Sequence, residues 1–261
     1  MNSIICSRNN SLFDSNLPPS IKYLIRSLKK STILNPETAR QCIIDARINV
    51  EDLLHWADFD HPVTDSYGRQ LVYDGGHFEI MVMSWVPGDF SAIHDHGATQ
   101  WGAVQCFGSG EHWVYKFKDN RLFKPIKTPF LPGTVIAVNH ELIHQMGNRS
   151  QSPFLSLHVY GCNDKCDSIT GNARIFDLWE ETIKYTDGGV FFCLSESKIN
   201  NRSYGIQGDR VTTLHHHRCM GDRIQKILSV PELATKNLRL QATYLEERIA
   251  LLSFTENNHN I

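Results

Sequence analysis

Between residues 67 and 160 the chain alternates short runs of branched and aromatic side chains with clusters of turn formers. This texture restricts the fold more than any other feature. QLVY (70–73), HFEIMVMSW (77–85), WGAVQCF (101–107), EHWVYKF (111–117), TVIAV (134–138) and FLSLHVY (154–160) are each the length of one strand. Between them stand Asp74-Gly75-Gly76, Pro87-Gly88, Gly108-Ser109-Gly110, Lys118-Asp119-Asn120 and Pro132-Gly133. Branched and aromatic residues suit a pleated surface, whereas Gly, Pro, Asn and Asp supply the backbone angles of turns. Many short strands with a turn about every ten residues predict an all-β barrel or sandwich.

The flanks read differently. Residues 1–60 form an N-terminal helical segment packed on the barrel: Pro36-Glu37-Thr38 is a helix start, and Ile43, Ile44 and Ile48 follow at near-helical spacing. The barrel proper is assigned to residues 61–169, and residues 170–261 to a mixed extension that completes or covers it. Within that extension Leu238, Leu245, Ile249 and Leu252 predict an amphipathic helix over 231–254. His215-His216-His217 reads as a solvated loop.

Composition removes several classes of function. With 26 basic and 28 acidic residues, the formal charge of −2 supplies no field to attract nucleic acid or an anionic membrane. No apolar run approaches the ~20 residues of a membrane span, and the first 15 residues lack the apolar core of a secretory signal. Seven cysteines at irregular spacings do not read as a disulfide framework, so the expected setting is the reducing cytoplasm. Cys162 and Cys166 have a spacing some zinc loops use, but no second pair lies nearby in sequence.

The string with chemistry in it is Gly88-Asp89-Phe90-Ser91-Ala92-Ile93-His94-Asp95-His96. Alternate side chains of a strand share a face, so His94 and His96 point one way and Asp95 the other. They make two corners of a metal site, and the third must come from elsewhere. His144 is preferred, while His140, four residues before it, is the competitor. Imidazole suits Fe, Zn, Cu and Ni alike. His112 reads as structural.

Gly88, six residues before His94, Gly108, and Pro132-Gly133 leading to His144 and Asn148 together resemble the two-part signature of the cupin barrel. Cupins usually carry a Glu four or five residues after the second His; here Gln100 and Trp101 stand there. That departure, with YGRQLVY (67–73), SWVPG (84–88) and SLHVY (156–160), resembles the cysteine dioxygenase family. The matches fall in the family's order over about 95 residues.

The resemblance implies a mainly β cupin fold, a double-stranded β-helix or jelly roll. It implies Fe(II) held by His94, His96 and His144. Its substrates are a small thiol and O2, and its product is a sulfinic acid. Arg69 would clamp the substrate carboxylate, with Tyr67 beside it. Tyr160 would place its hydroxyl near the metal, backed by His158 and Ser156, which share its face by alternation. Gln70 would point away; mercaptopropionate dioxygenases, which look similar, place Gln at the Arg position, so an amino-acid thiol is preferred to a mercapto-acid. A cupin that binds a metal or small ligand without oxidising it is the reading from another class. The family has Cys or Gly where this chain has Trp101, and the sheet register predicts that Trp101 faces the metal and reshapes the substrate pocket.

Overall fold

The computed structural model describes residues 16–163 and 168–257. Two helices come first. α1 (Pro19–Lys30) starts on a proline and buries Ile21, Leu24, Ile25 and Leu28 at i, i+3, i+4 and i+7. α2 (Pro36–Ala46) is capped by Asn35, whose side chain accepts from the Thr38 N–H at 2.9 Å. Ile43 is fully buried, but Ile44 faces solvent. A 3-10 turn, Val50–Trp56, leads into the sheets.

One sheet has five strands in the order β1-β2-β8-β3-β6. They are β1 (Gly68–Asp74), β2 (Phe78–Trp85), β3 (Trp101–Cys106), β6 (Val135–Val138) and β8 (Phe154–Gly161), all antiparallel where they pair. Residues of β2 and β8 are almost all buried because both faces are covered. The outer face packs Phe78, Ile80, Val82, Leu155, Leu157 and Val159 against α1 and α2. The inner face carries Met81, Met83, Trp85, Val104 and Tyr160. Each large side chain buried this way stabilises the fold by about 1.5–3 kcal/mol, so the helices are fixed by area rather than by propensity.

The opposing layer is β4 (Gly110–Lys118), β5 (Arg121–Phe130) and β7 (Ile143–Gly147), ordered β5-β4-β7. The stretch carrying His94 adds to it: the His94 N–H bonds the His144 carbonyl and the His144 N–H bonds the His94 carbonyl, both at 2.9 Å. On its other side lies β9 (Ala173–Asp177), with Asp95 N to Arg174 O at 3.0 Å and Phe176 N to Ile93 O at 2.8 Å. β10 (Thr182–Thr186) and β11 (Asn201–Tyr204) continue from β9. The histidine segment, joined by isolated bridges at His94 rather than as a regular strand, therefore runs between the barrel and the C-terminal segment, whose backbone is hydrogen-bonded to it directly.

Two helices finish the chain. α3 (Arg210–Leu228) buries His216 and His217 at 1% and 2% exposure, so the three-histidine run is helical and internal, not a solvated loop. Burial pushes both imidazoles down to about 4. α4 (Lys236–Asn257) starts later than the spacing predicts and packs on α3 through Ala242 and Leu245, with Leu238 and Ile249 beside them. Arg223 of α3 is fully buried, donating to Asp89 Oδ1 at 2.9 Å and to the Val63 and Asp65 carbonyls. That clamp ties the helix to the turn that opens the histidine segment. Cys42, Cys106, Cys193 and Cys219 are free thiols, but Cys162 is disulfide-bonded, against the expectation of thiols throughout. Cys166 lies outside the described residues.

Candidate metal centre

Two distant segments are brought to the site by mutual hydrogen bonds. The Gly88 N–H bonds the Asn148 carbonyl and the Asn148 N–H bonds the Asp89 carbonyl, each at 2.8 Å, while Asn148 Nδ2 donates to the Trp85 carbonyl at 3.0 Å. The Gly and Asn that end the sequence signature thus hold each other. Between them, His94 and His144 come face to face.

The three expected ligands converge. One nitrogen from each of His94, His96 and His144 lies within 4.8 Å of the others, and all three residues are buried. The Nε2 atoms of His94 and His144 are 3.1 Å apart. Two nitrogens each ~2.0–2.1 Å from one ion stand at most about 4.2 Å apart, so this spacing fits a shared ion. Both ring nitrogens of His96 are buried with no hydrogen-bond partner, a state that costs about 1–3 kcal/mol unless something else is bound. His94 Nδ1 meets the Ala92 carbonyl at 2.9 Å. A carbonyl only accepts, so Nδ1 carries the proton and Nε2 presents its lone pair. Burial lowers the imidazoles, His94 to about 4 and His96 and His144 well below their usual value. The donor set fits a divalent metal.

Among the described residues no carboxylate joins it. Asp95 reaches the cavity wall, but its oxygens are taken by the Arg174 guanidinium, the Arg174 N–H at 2.8 Å and the Gly97 N–H at 3.2 Å. His140 is exposed and is not a ligand.

The remaining expected residues surround a cavity of about 490 Å³, open mouth included, which Tyr67, Arg69, His158 and Tyr160 line together with the three histidines. Arg69 pairs with Met83 and so shares the inner face, while Gln70 turns outward to Asp58 at 3.1 Å. Among the described residues the Arg69 guanidinium bonds the Thr170 hydroxyl at 3.3 Å. The Tyr67 ring stacks on Trp85 at 4.7 Å, and its oxygen accepts from the Val190 N–H at 3.2 Å. Ser156, His158 and Tyr160 form the expected chain: Ser156 Oγ to His158 Nε2 is 2.7 Å and His158 Nδ1 to Tyr160 Oη is 2.8 Å.

Three further roles escaped the sequence. Trp85 Nε1–H donates to Ser156 Oγ at 2.8 Å. An indole only donates, so the Ser156 proton goes to His158, whose Nδ1–H goes to Tyr160. The tyrosine proton is then left pointing into the cavity. His158, lowered to about 3 by burial, stays neutral, and burial pushes the Tyr160 phenol far up. His112 is no bystander either: its Nε2 lies 2.9 Å from His144 Nδ1. Thr170, Ala173, Gly188 and Val190 of the C-terminal segment complete the wall; nothing in their sequence marks them.

Trp101 is a correction. It pairs with Gly161 on the outer face, its ring lying where a Gly161 Cβ would stand, and packs towards Phe78 at 6.4 Å between ring centroids. The inward position, opposite Tyr160, belongs to Gly102. A side chain at Gly102 would press on the Val159 carbonyl and on the Tyr160 ring. β3 begins at Trp101, as the run WGAVQCF suggests, but its pairing with β8 sets Gly102 rather than Trp101 opposite Tyr160, and neighbouring residues of a strand take opposite faces.

Fold and site together define a cupin barrel with three histidines at its mouth that could hold a metal ion. The family model for Cysteine dioxygenase type I matches residues 15–167, more than half of the chain, and the chain belongs to that family. A Cysteine dioxygenase type 1 from Danio rerio is 29% identical over 153 residues, 55% of this chain and 75% of that protein. Among solved structures, a double-stranded β-helix protein from Klebsiella pneumoniae matches at a TM-score of 0.33 and 16% identity, over 46% of this chain and 93% of that one. A Cupin 2 conserved barrel domain protein from Salinispora arenicola matches at 0.30 and 15%, over 39% and 81%. No helix among the described residues is long and apolar enough to cross a membrane.

Proposed function

We propose that this chain is an Fe(II)-dependent thiol dioxygenase that converts cysteine or a close analogue to its sulfinic acid. The reaction balances without a further reductant: R–SH + O2 gives R–SO2H, sulfur losing the four electrons that O2 gains. When bound by His94, His96 and His144, ferrous iron supplies Lewis acidity that favours a thiolate and the redox chemistry that O2 requires. Three neutral imidazoles cancel none of its charge, which favours an anionic substrate.

The chain's own residues do the positioning. Arg69 presents a planar fork to a carboxylate, a bidentate fit that lysine does not reproduce. Tyr67 accepts from Val190 and so keeps its own proton for the same carboxylate. Tyr160, its proton directed inward, hydrogen-bonds the reacting end of the substrate, and the neutral His158 keeps it so directed. Met83, Met146, Ala173 and Val190 line the remaining wall with apolar surface, limiting water at the sulfur. Arg69 on the inner face with Gln70 outside favours an amino-acid thiol over a mercapto-acid.

The observation that carries this reading is the presence of Arg69, Tyr67 and Tyr160 on the same cavity as the three histidines. A site that merely stores metal has no use for all of them. The test is anaerobic ferrous loading followed by oxygen uptake with cysteine, cysteamine and mercaptopropionate. The expected result is one O2 consumed per cysteine with a sulfinic acid formed. No uptake with any thiol would favour a ligand-binding cupin.

A further inference from the structure

His112 stands on β4 opposite Met146, two residues along β7 from His144, so both imidazoles project from the same inner face. Its Nε2 lies 2.9 Å from His144 Nδ1, and its Nδ1 meets the Thr128 hydroxyl of β5. At 3% exposure it is shielded from bulk solvent. We infer that His112 and Thr128 form an outer shell that hydrogen-bonds His144 in either tautomer, and that a metal ion entering the site reverses the direction of this hydrogen-bonded chain. The inference rests on the three-histidine metal site and is independent of what the enzyme oxidises.

The argument follows from counting protons. His94 is preset, because its Nδ1–H is fixed on the Ala92 carbonyl. Its Nε2 faces His144 Nε2 at 3.1 Å. Without an ion, two lone pairs at that distance repel, so His144 Nε2 carries a proton and donates it to His94. His144 Nδ1 then accepts from His112 Nε2–H, and His112 Nδ1 accepts from the Thr128 hydroxyl. Every group in the chain is satisfied in that direction.

A metal ion requires the opposite. The His144 Nε2 lone pair must face the ion, so its proton moves to Nδ1 and is donated to His112 Nε2. His112 becomes the Nδ1–H tautomer and donates to the Thr128 oxygen. Both imidazoles remain neutral and the number of bound protons is unchanged; only the direction differs. The bond made by one ring nitrogen fixes what the other can do. A neutral imidazole in this outer position orients His144 without adding the negative charge that a carboxylate would bring.

Two experiments test this on the full chain, with Zn(II) as a diamagnetic probe. Imidazole 15N spectra of the metal-free protein should show His112 and His144 as Nε2–H tautomers, and the loaded protein should show both as Nδ1–H. Chelator competition should give His112→Phe a metal dissociation constant about 10–100-fold above that of the unsubstituted protein. Thr128→Val should show a smaller loss. His112→Gln, whose amide oxygen can accept from His144 Nδ1–H, should recover part of the affinity. A folded His112→Phe protein that binds Zn(II) within about twofold of the unsubstituted chain overturns the inference. So do 15N spectra in which His112 keeps one tautomer in both states, a measurement that stands even if His112→Phe fails to fold. If the unsubstituted chain takes up no Zn(II), the metal-site reading itself falls as well.

Discussion

Replacing Ser156 by Ala tests the chain that directs Tyr160. Ser156 is fully buried, as is Trp85 at 1% exposure. The serine hydroxyl accepts from the indole N–H at 2.8 Å and donates to His158 Nε2 at 2.7 Å. Ser156→Ala leaves an indole N–H and an imidazole nitrogen unpaired in the interior, at roughly 1–3 kcal/mol each. Unfolding in urea should therefore show a loss of about 2–6 kcal/mol, a large part of the 5–15 kcal/mol typical of a folded domain. Trp85→Phe removes the donor together with its need for an acceptor. The double variant Trp85→Phe/Ser156→Ala should thus lose about 1–2 kcal/mol less than the sum of the single variants. The functional readout is separate. Without Ser156, His158 is free to carry its proton on Nε2 and accept from Tyr160, turning the phenolic proton away from the cavity. Oxygen uptake with cysteine should then fall about tenfold in kcat/KM, worth ~1.4 kcal/mol, with metal content unchanged. A Ser156→Ala protein within about 0.5 kcal/mol of the parent in stability and unaltered in rate would refute the chain as drawn.

Arg69→Lys should raise KM for cysteine about tenfold or more while leaving cysteamine, which lacks a carboxylate, unaffected in steady-state oxygen uptake. Trp101→Ala should cost about 3–5 kcal/mol in urea unfolding and leave the oxidation rate of the folded protein unchanged, because the ring packs outside the cavity. His94, His112, His216 and His217 are all lowered to about 4 by burial. In each the unfolded chain binds more protons between pH 4 and 6.5, so stability is fully present above about 6.5 and is lost as pH falls towards 4. Each contributes up to ~1.4 kcal/mol per pH unit over that window. Urea unfolding from pH 7 to pH 5 measures it, and a flat profile would contradict the burial of these rings.

Much of the architecture was legible because strands and turns have local causes. The alternation of branched residues with Gly, Pro and Asn marked the sheets, and Pro36-Glu37-Thr38 marked a helix start through the fixed φ of its proline. His94 and His96 were readable because two alternate imidazoles need only a locally extended backbone. His144 was readable because the Gly88 and Asn148 that bracket it bond each other, which fixes a spacing visible in the chain. Ser156, His158 and Tyr160 were readable for the same reason of alternation along one strand.

What only the tertiary structure decided was register and company. Trp101 faces outward because β3 pairs with β8 so that Gly102 stands opposite Tyr160, and a local pattern does not record where a strand meets its neighbour. His216 and His217 are internal because α3 is covered by α4 and clamped by Arg223 to a turn more than 130 residues away. His112 acquires its place beside His144, Trp85 its place at the head of the Tyr160 chain, and Val190 its bond to Tyr67 through contacts between separate elements. Periodicity along one strand or helix records which face a side chain takes, but a partner across the barrel is fixed only once the sheets have closed.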